Sequence, residues 1–246
     1  MTRPRTLNML LYGAQGVGKT VFAASAQDVP DMKDVLFIDI EGGGLSIDDR
    51  PMMGLEPVET IRPASIGEFQ RLVSDLAKGK YEQNTIIIDS VTELQRVWLA
   101  DIQRKSNARD PRQDYGALLN DMGTALRTLT GIDKHVIYTA LVRKQTDDTG
   151  ERIIEVRPEL SPSLANALMG FVDFIWYFQR KARSQADHAV EVLTRQSGVI
   201  LAKTRGPVFA KNLGKVFEVP DIFDTPPMAH VYDIWAESIP KNEEAT

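Results

Sequence analysis

Apolar residues fall in short unbroken runs along this chain, separated by longer stretches in which they recur every third or fourth position. The runs TLNMLLY (6–12), VLFIDI (35–40), TIIIDS (85–90) and HVIYTAL (135–141) have strand length, and their hydrophobicity is continuous rather than alternating. Strands of that kind are covered on both faces. Between them, 65–78 and 91–105 carry apolar residues at helical spacing. Strands alternating with helices predict an α/β fold: a mainly parallel central sheet, right-handed crossovers, and flanking helices. Later, FVDFIWYF (171–178), AVEVLTR (189–195) and GVILAKT (198–204) follow one another across short polar turns, which predicts antiparallel strands extending the sheet toward the C-terminus. The expected organisation is one domain over 1–238 and a polar, acidic tail over 239–246.

Composition narrows the class. A chain of 246 residues, 43% of them hydrophobic, can bury one large core. It has no cysteine, which removes disulfides and thiolate metal sites and fits a reducing compartment. The opening MTRPRTLNML is too short and too polar for a signal peptide, and no run approaches the roughly 18 apolar residues of a membrane helix. A net charge of −5 argues against indiscriminate nucleic-acid binding. The expectation is a soluble cytoplasmic protein with no membrane partner.

One stretch carries most of the chemistry. In LLYGAQGVGKTVF (10–22) an apolar run ends in three glycines within six residues, followed by lysine and threonine. Gly13, Ala14, Gln15, Gly16, Val17, Gly18, Lys19 and Thr20 fit G-x-x-x-x-G-K-[ST] between a predicted strand and a predicted helix, the context of a phosphate-binding loop. Glycine is costly to order. What is gained is bare backbone, whose N–H groups converge on a β-phosphate beside the positive end of the next helix. Lys19 would neutralise phosphate charge and Thr20 would offer its hydroxyl to Mg²⁺, so ATP and Mg²⁺ are the expected cofactors.

A Mg²⁺ site needs a second anchor, expected at the end of a neighbouring strand. TIIIDS supplies Asp89 there, although an aspartate in that position also serves as a helix N-cap. Hydrolysis needs a group to orient water. VLFIDIEGGG offers Asp39 and Glu41, which share a face if the strand runs through both. Glu41, nearer the glycines, is expected to face the γ-phosphate; a solvated acid in a turn is the alternative.

These segments, in this order, resemble the RecA family of recombination ATPases. In that family a phosphate loop is followed by a strand ending in a catalytic glutamate (FIDIE here) and a Walker B strand ending Asp-Ser (IIIDS here). LAKTRGPVF (201–209) resembles the strand whose two basic residues, here Lys203 and Arg205, reach the nucleotide of an adjacent subunit. The chain is also similar to the short phage-encoded RecA-core proteins grouped with single-strand annealing proteins, the Sak group. The resemblance spans roughly 7–220 and implies an ATPase that binds single-stranded DNA and assembles as a ring or filament. It does not extend to an N-terminal polymerisation module, since twelve residues precede the loop. HVIYTAL lacks the glutamine that senses the γ-phosphate, with Thr139, Ala140 and Leu141 in that neighbourhood. Annealing or loading is therefore expected rather than full strand exchange.

Two segments are candidate DNA loops. The first, RKSNARDPRQDYG (104–116), holds Arg104, Lys105, Arg109 and Arg112, with Tyr115 placed to stack on a base. The second, 142–158, holds Arg143 and Lys144 and has a DDTG hairpin turn. Solvated charge is the alternative for both. Between Val192 and Phe217 there are five basic residues and no acidic one. Residues 218–246 carry seven carboxylates against one lysine, as a partner-binding tail or a competitor for the DNA site.

Lys203 and Arg205 would share one face of an extended strand. With the nearest acids in sequence at Glu191 and Glu218, an anion from outside the chain is expected opposite them. Three functions remain open: an ATP-dependent single-stranded-DNA-binding recombination protein, a P-loop ATPase that loads or remodels a single-strand-binding or replication protein, and a metabolic kinase. The last lacks an arginine-rich lid.

Overall fold

A computed structural model describes residues 6–106, 110–184, 188–220 and 226–238, with backbone alone at 45 and 46. Arg109 and the expected tail over 239–246 lie outside the described residues. The sheet is built around β1 (Asn8–Gly13), which lies parallel between β5 (His135–Thr146) and β7 (Phe174–Ala182). Beyond β5 come β4 (Thr85–Asp89), β2 (Val35–Asp39) and β3 (Glu59–Ile61), all parallel. On the other side β8 (His188–Leu193) pairs antiparallel with β7, and β10 (Val216–Glu218) with β8. Two further strands branch off: β6 (Ile153–Pro158) pairs with the far half of β5, and β9 (Lys203–Thr204) with the start of β7.

The unbroken apolar runs have the expected cause. Leu10, Tyr12, Leu36, Ile38, Ile86, Ile88 and Tyr138 point to one face of the sheet, and Met9, Leu11, Phe37, Ile87 and Ile137 to the other. The first face is covered by α3 (Ile66–Ala77), α4 (Val91–Lys105), α5 (Pro111–Thr130) and α6 (Pro162–Phe171). The second is covered by α1 (Lys19–Ala24), α7 (Pro207–Leu213) and α8 (Pro227–Glu237). The short α2 (Leu45–Asp48) follows the glycines after β2. The parallel strands β1, β2 and β4 and the first half of β5 thus hide both side-chain rows from water, whereas β3 at the sheet edge is partly exposed.

Three expectations about elements change. Residue Phe171 closes α6, so the strand expected at 171–178 starts at Phe174, and it runs parallel to β1. The antiparallel extension begins at β8. Of 198–204, only the last two residues pair as a strand. The expected DNA loop 104–116 is largely helix ends: Arg104 and Lys105 close α4, while Arg112 and Tyr115 lie in the first turns of α5. Local chemistry explains this. Asp110 accepts from the Arg112 N–H at 2.9 Å, and Pro111 occupies the first helical position, where its missing N–H costs nothing.

Candidate nucleotide-binding site

The loop after β1 leaves the sheet without a side chain to pack. Gly16 and Gly18 take left-handed φ values of 68° and 98°, and a Cβ at Gly18 would meet nothing within 4 Å. Among the described residues, the N–H groups of Gly16, Val17 and Gly18 donate to nothing in the chain. Backbone donors are ordinarily paired, so a run of free ones around an open loop is a cradle for an anion. Lys19 is 7% exposed, and its Nζ donates to the carbonyls of Gly13 at 3.1 Å and Ala14 at 2.9 Å. Burial pushes its pKa down, opposed by the negative charges of Asp89 and Glu41. A desolvated ammonium held only by carbonyls is suited to meet phosphate oxygens.

Asp89 emerges two strands away from β1, because β5 lies between; it is not on the neighbouring strand expected from the sequence. It nevertheless reaches the loop. Thr20 Oγ1 donates to Asp89 Oδ2 at 2.8 Å, and Thr139 Oγ1 donates to the other carboxylate oxygen. Burial pushes the Asp89 carboxyl upward, and the Glu41 charge adds to it. The two threonine hydrogen bonds, and more weakly Lys19, act in the opposite sense. The hydroxyl and carboxylate fit a hard cation with oxygen ligands. Asp89 does not cap the next helix; Ser90 does, accepting from the Glu93 N–H at 3.3 Å.

Asp39 and Glu41 do not share a face. β2 ends at Asp39, and Gly42 turns the chain at φ 73°, with its N–H donating to Asp39 Oδ1 at 2.7 Å. Arg62 Nε holds the other oxygen at 2.8 Å, so Asp39 is committed to the turn. Glu41 is exposed and accepts from Ser90 Oγ, the residue after Asp89. Lys19, Thr20, Asp89 and Glu41 therefore converge, while Asp39 is structural.

The residues of the candidate DNA loops separate into two groups. Arg104 and Lys105 both pair with Asp101, at 2.5 Å each, on the α4 surface. Arg112, Tyr115 and Arg143 instead line one cavity of about 600 Å³, with Gln95, Glu159 and Ser161. Lys144 follows Arg143 on β5 and so points to the other face of the hairpin. In the basic stretch after Val192, Arg195 donates to the Ala210 carbonyl and Lys203 to Met169 O at 2.6 Å. Arg205 pairs with Asp173 at 2.8 Å, so an acid of the chain does lie opposite the pair. Both side chains meet the C-terminal end of α6, whose carbonyls draw cations. Asp173 lies thirty-two residues away in sequence, out of reach of a local reading.

Thr139 and Arg180 belong to the site and had no assigned role in the sequence. Thr139 faces Asp89 because β5 threads between β1 and β4. Arg180 donates to the Gly16 carbonyl at 2.7 Å, which requires β7 to run parallel beside β1. Neither is marked by a spacing motif.

A family model described as an AAA domain matches residues 5–212. The chain belongs to the AAA-domain family. That membership covers the phosphate loop, Glu41, Asp89 and the segment with Lys203 and Arg205, and makes this a P-loop nucleotide-binding domain. No curated protein matches the chain. Among solved structures, the flagellar accessory protein FlaH from Methanocaldococcus jannaschii is similar at 12% identity with a TM-score of 0.47, over 76% of this chain and 78% of that one. Among the described residues of this AAA-domain protein, no helix is long and apolar enough to cross a membrane.

Proposed function

We propose that this chain is an ATPase that binds single-stranded DNA under control of its nucleotide and promotes strand annealing in recombination. The phosphate loop and Lys19 would hold the nucleotide, Thr20 and Asp89 the metal, and Glu41 the attacking water. Bound Mg²⁺·ATP supplies a phosphoanhydride whose cleavage resets the cycle. The observation that carries the DNA reading is the cavity where Arg112, Tyr115 and Arg143 come together from α5 and β5. Two guanidinium groups and an exposed phenol ring match the phosphates and bases of a flexible single strand. The cavity also connects to the nucleotide site, since β5 carries both Thr139, bonded to Asp89, and Arg143.

The reading extends to an assembled form, in which Lys203 and Arg205 would act across a subunit interface. They stand level with the first residues of β1, three to five residues below Gly13, which is about 10–16 Å at strand rise. They cannot serve their own loop, so a role at a phosphate requires a second copy of the chain, in a ring or filament.

The deciding measurement is a titration of fluorescently labelled single-stranded DNA with and without ATP over a salt series. Phosphate contacts give a log–log salt slope of about −0.7 for each one neutralised. Replacing Arg112 and Arg143 together by alanine should flatten that slope by about two contacts' worth. Absence of DNA binding at low salt, with and without ATP, overturns the reading in favour of an ATPase that loads or remodels a protein partner.

A further inference from the structure

β7 ends above the phosphate loop, and its two side-chain rows have different fates there. Phe174, Trp176 and Phe178 point to the α1 face and are buried; Arg180 continues that row beyond the core. Its guanidinium donates to the Gly16 carbonyl at 2.7 Å and is exposed. In the opposite row the polar side chains near the strand's end have an acid: Gln179 and Lys181 meet Glu191, at 3.3 and 2.7 Å, and just past the strand Arg183 meets Glu218. Arg180 forms no ion pair among the described residues. A guanidinium carries five N–H donors, and the Gly16 carbonyl occupies one end of the fork.

The strand that carries this charge is also packed closely beside the loop. Gly13 stands opposite Phe178 in the β1–β7 register, and a Cβ on Gly13 would fall 2.5 Å from the Phe178 carbonyl oxygen. The backbone of β7 is therefore locked against the first residue of the loop, two positions before Arg180. A cation with no carboxylate, presented on a rigid strand at the rim of an anion cradle, needs an anion to complete it.

We propose that Arg180 is a further polyphosphate-binding residue acting in cis, adding its charge to that of Lys19. The proposal rests on the nucleotide-binding reading of the loop and extends it by one residue from outside the motif. Because Arg180 stands over the loop of its own chain, its contribution does not depend on assembly, in contrast to Lys203 and Arg205.

The test is equilibrium competition on the full chain, without turnover: a fluorescent ADP analogue displaced by ADP and, separately, by inorganic tripolyphosphate. Arg180→Ala and Arg180→Gln should each weaken both competitors by about tenfold, the loss of one charge-assisted contact. Arg180→Lys should retain most of the affinity, since it keeps the charge. Arg180→Gln keeps a donor for the Gly16 carbonyl, so it guards against simple loss of fold, and its melting temperature without ligand should match wild type. Wild-type affinity for both competitors in Arg180→Gln overturns the proposal. Lys19→Ala in the same titration separates the two readings. Unchanged affinity there would sink the loop assignment itself, whereas a loss there with none at Arg180→Gln would sink the Arg180 role alone.

Discussion

The Thr20 hydroxyl donates to Asp89 Oδ2 at 2.8 Å, and Thr139 holds the other oxygen of the same carboxylate. The carboxylate proposed to anchor the metal is thus hydrogen-bonded within the protein at both oxygens, while burial pushes its pKa upward. Two threonines hold in place a group that the fold would rather keep neutral.

Asp89→Asn should therefore separate stability from function. Removing an unfavourably buried carboxylate should leave the ligand-free protein as stable as wild type or more so. Mg²⁺ should then no longer tighten ATP binding. Thermal melts without ligand and nucleotide titrations with and without Mg²⁺ read both effects; a destabilised variant that still responds to Mg²⁺ would contradict the assignment.

For Glu41→Gln the expectation is a split between binding and turnover. The amide keeps size and a hydrogen-bonding oxygen for Ser90, so ATP affinity should persist while hydrolysis falls about 10²-fold or more. Comparable turnover in both proteins would show that water is oriented by another group. Asp39 is already bonded to Gly42 and Arg62 and is not that group.

Mixing tests the role of Lys203 and Arg205. A Lys203→Ala/Arg205→Ala protein keeps its loop, and a Lys19→Ala protein keeps its basic pair. Each alone should be nearly inactive, and the mixture should regain turnover where an intact loop meets an intact pair; trans groups of this kind contribute roughly 10³-fold or more. The Arg205–Asp173 pair is half-exposed, so its loss should cost under about 1 kcal/mol of stability and leave the variant folded. Full activity in the double variant alone, or no recovery in co-assembled mixtures, removes the trans role.

Acid should destabilise the chain through His135. Its Nδ1 accepts the Leu7 N–H at 3.0 Å, which requires the neutral ring, and burial pushes its pKa from 6.5 down to about 4 against the charges of Asp31 and Asp133. The unfolded chain takes up this proton first as pH falls, so stability is complete above 6.5 and declines between 6.5 and about 4. The loss is about 3 kcal/mol at roughly 1.4 kcal/mol per pH unit. His135→Gln, whose amide oxygen can accept the same N–H, should flatten the melting-temperature profile over that interval; an unchanged profile would assign the acid sensitivity to other groups.

What the sequence made legible was whatever is local. The four apolar runs became β1, β2, β4 and β5; Lys19 and Thr20 open the helix after β1, and Glu41 lies two residues past the end of β2. What it hid depends on strand order. Nothing between residues 20 and 89 says that β5 will lie between their strands and bring Thr139 to Asp89. Arg180 is found only once β7 is known to run parallel to β1, and Asp173 only once α6 is known to end beside β9. The segment 104–116 is helical at both ends for a reason that is local: beside its charges stand Asp110 and Pro111, a cap and a helix start.

The approach of Phe178 to Gly13 changes how this motif would be read in related chains. Of its glycines, Gly16 and Gly18 are fixed by the left-handed backbone of the loop itself, but Gly13 is fixed by the neighbouring strand. A descendant that had given up its nucleotide would be free to vary Lys19 and Thr20, and would still have to keep Gly13 for as long as β7 lay against β1. Persistence of that first glycine is a record of ancestry and architecture. The lysine and the threonine are the letters that report whether the site is still in use.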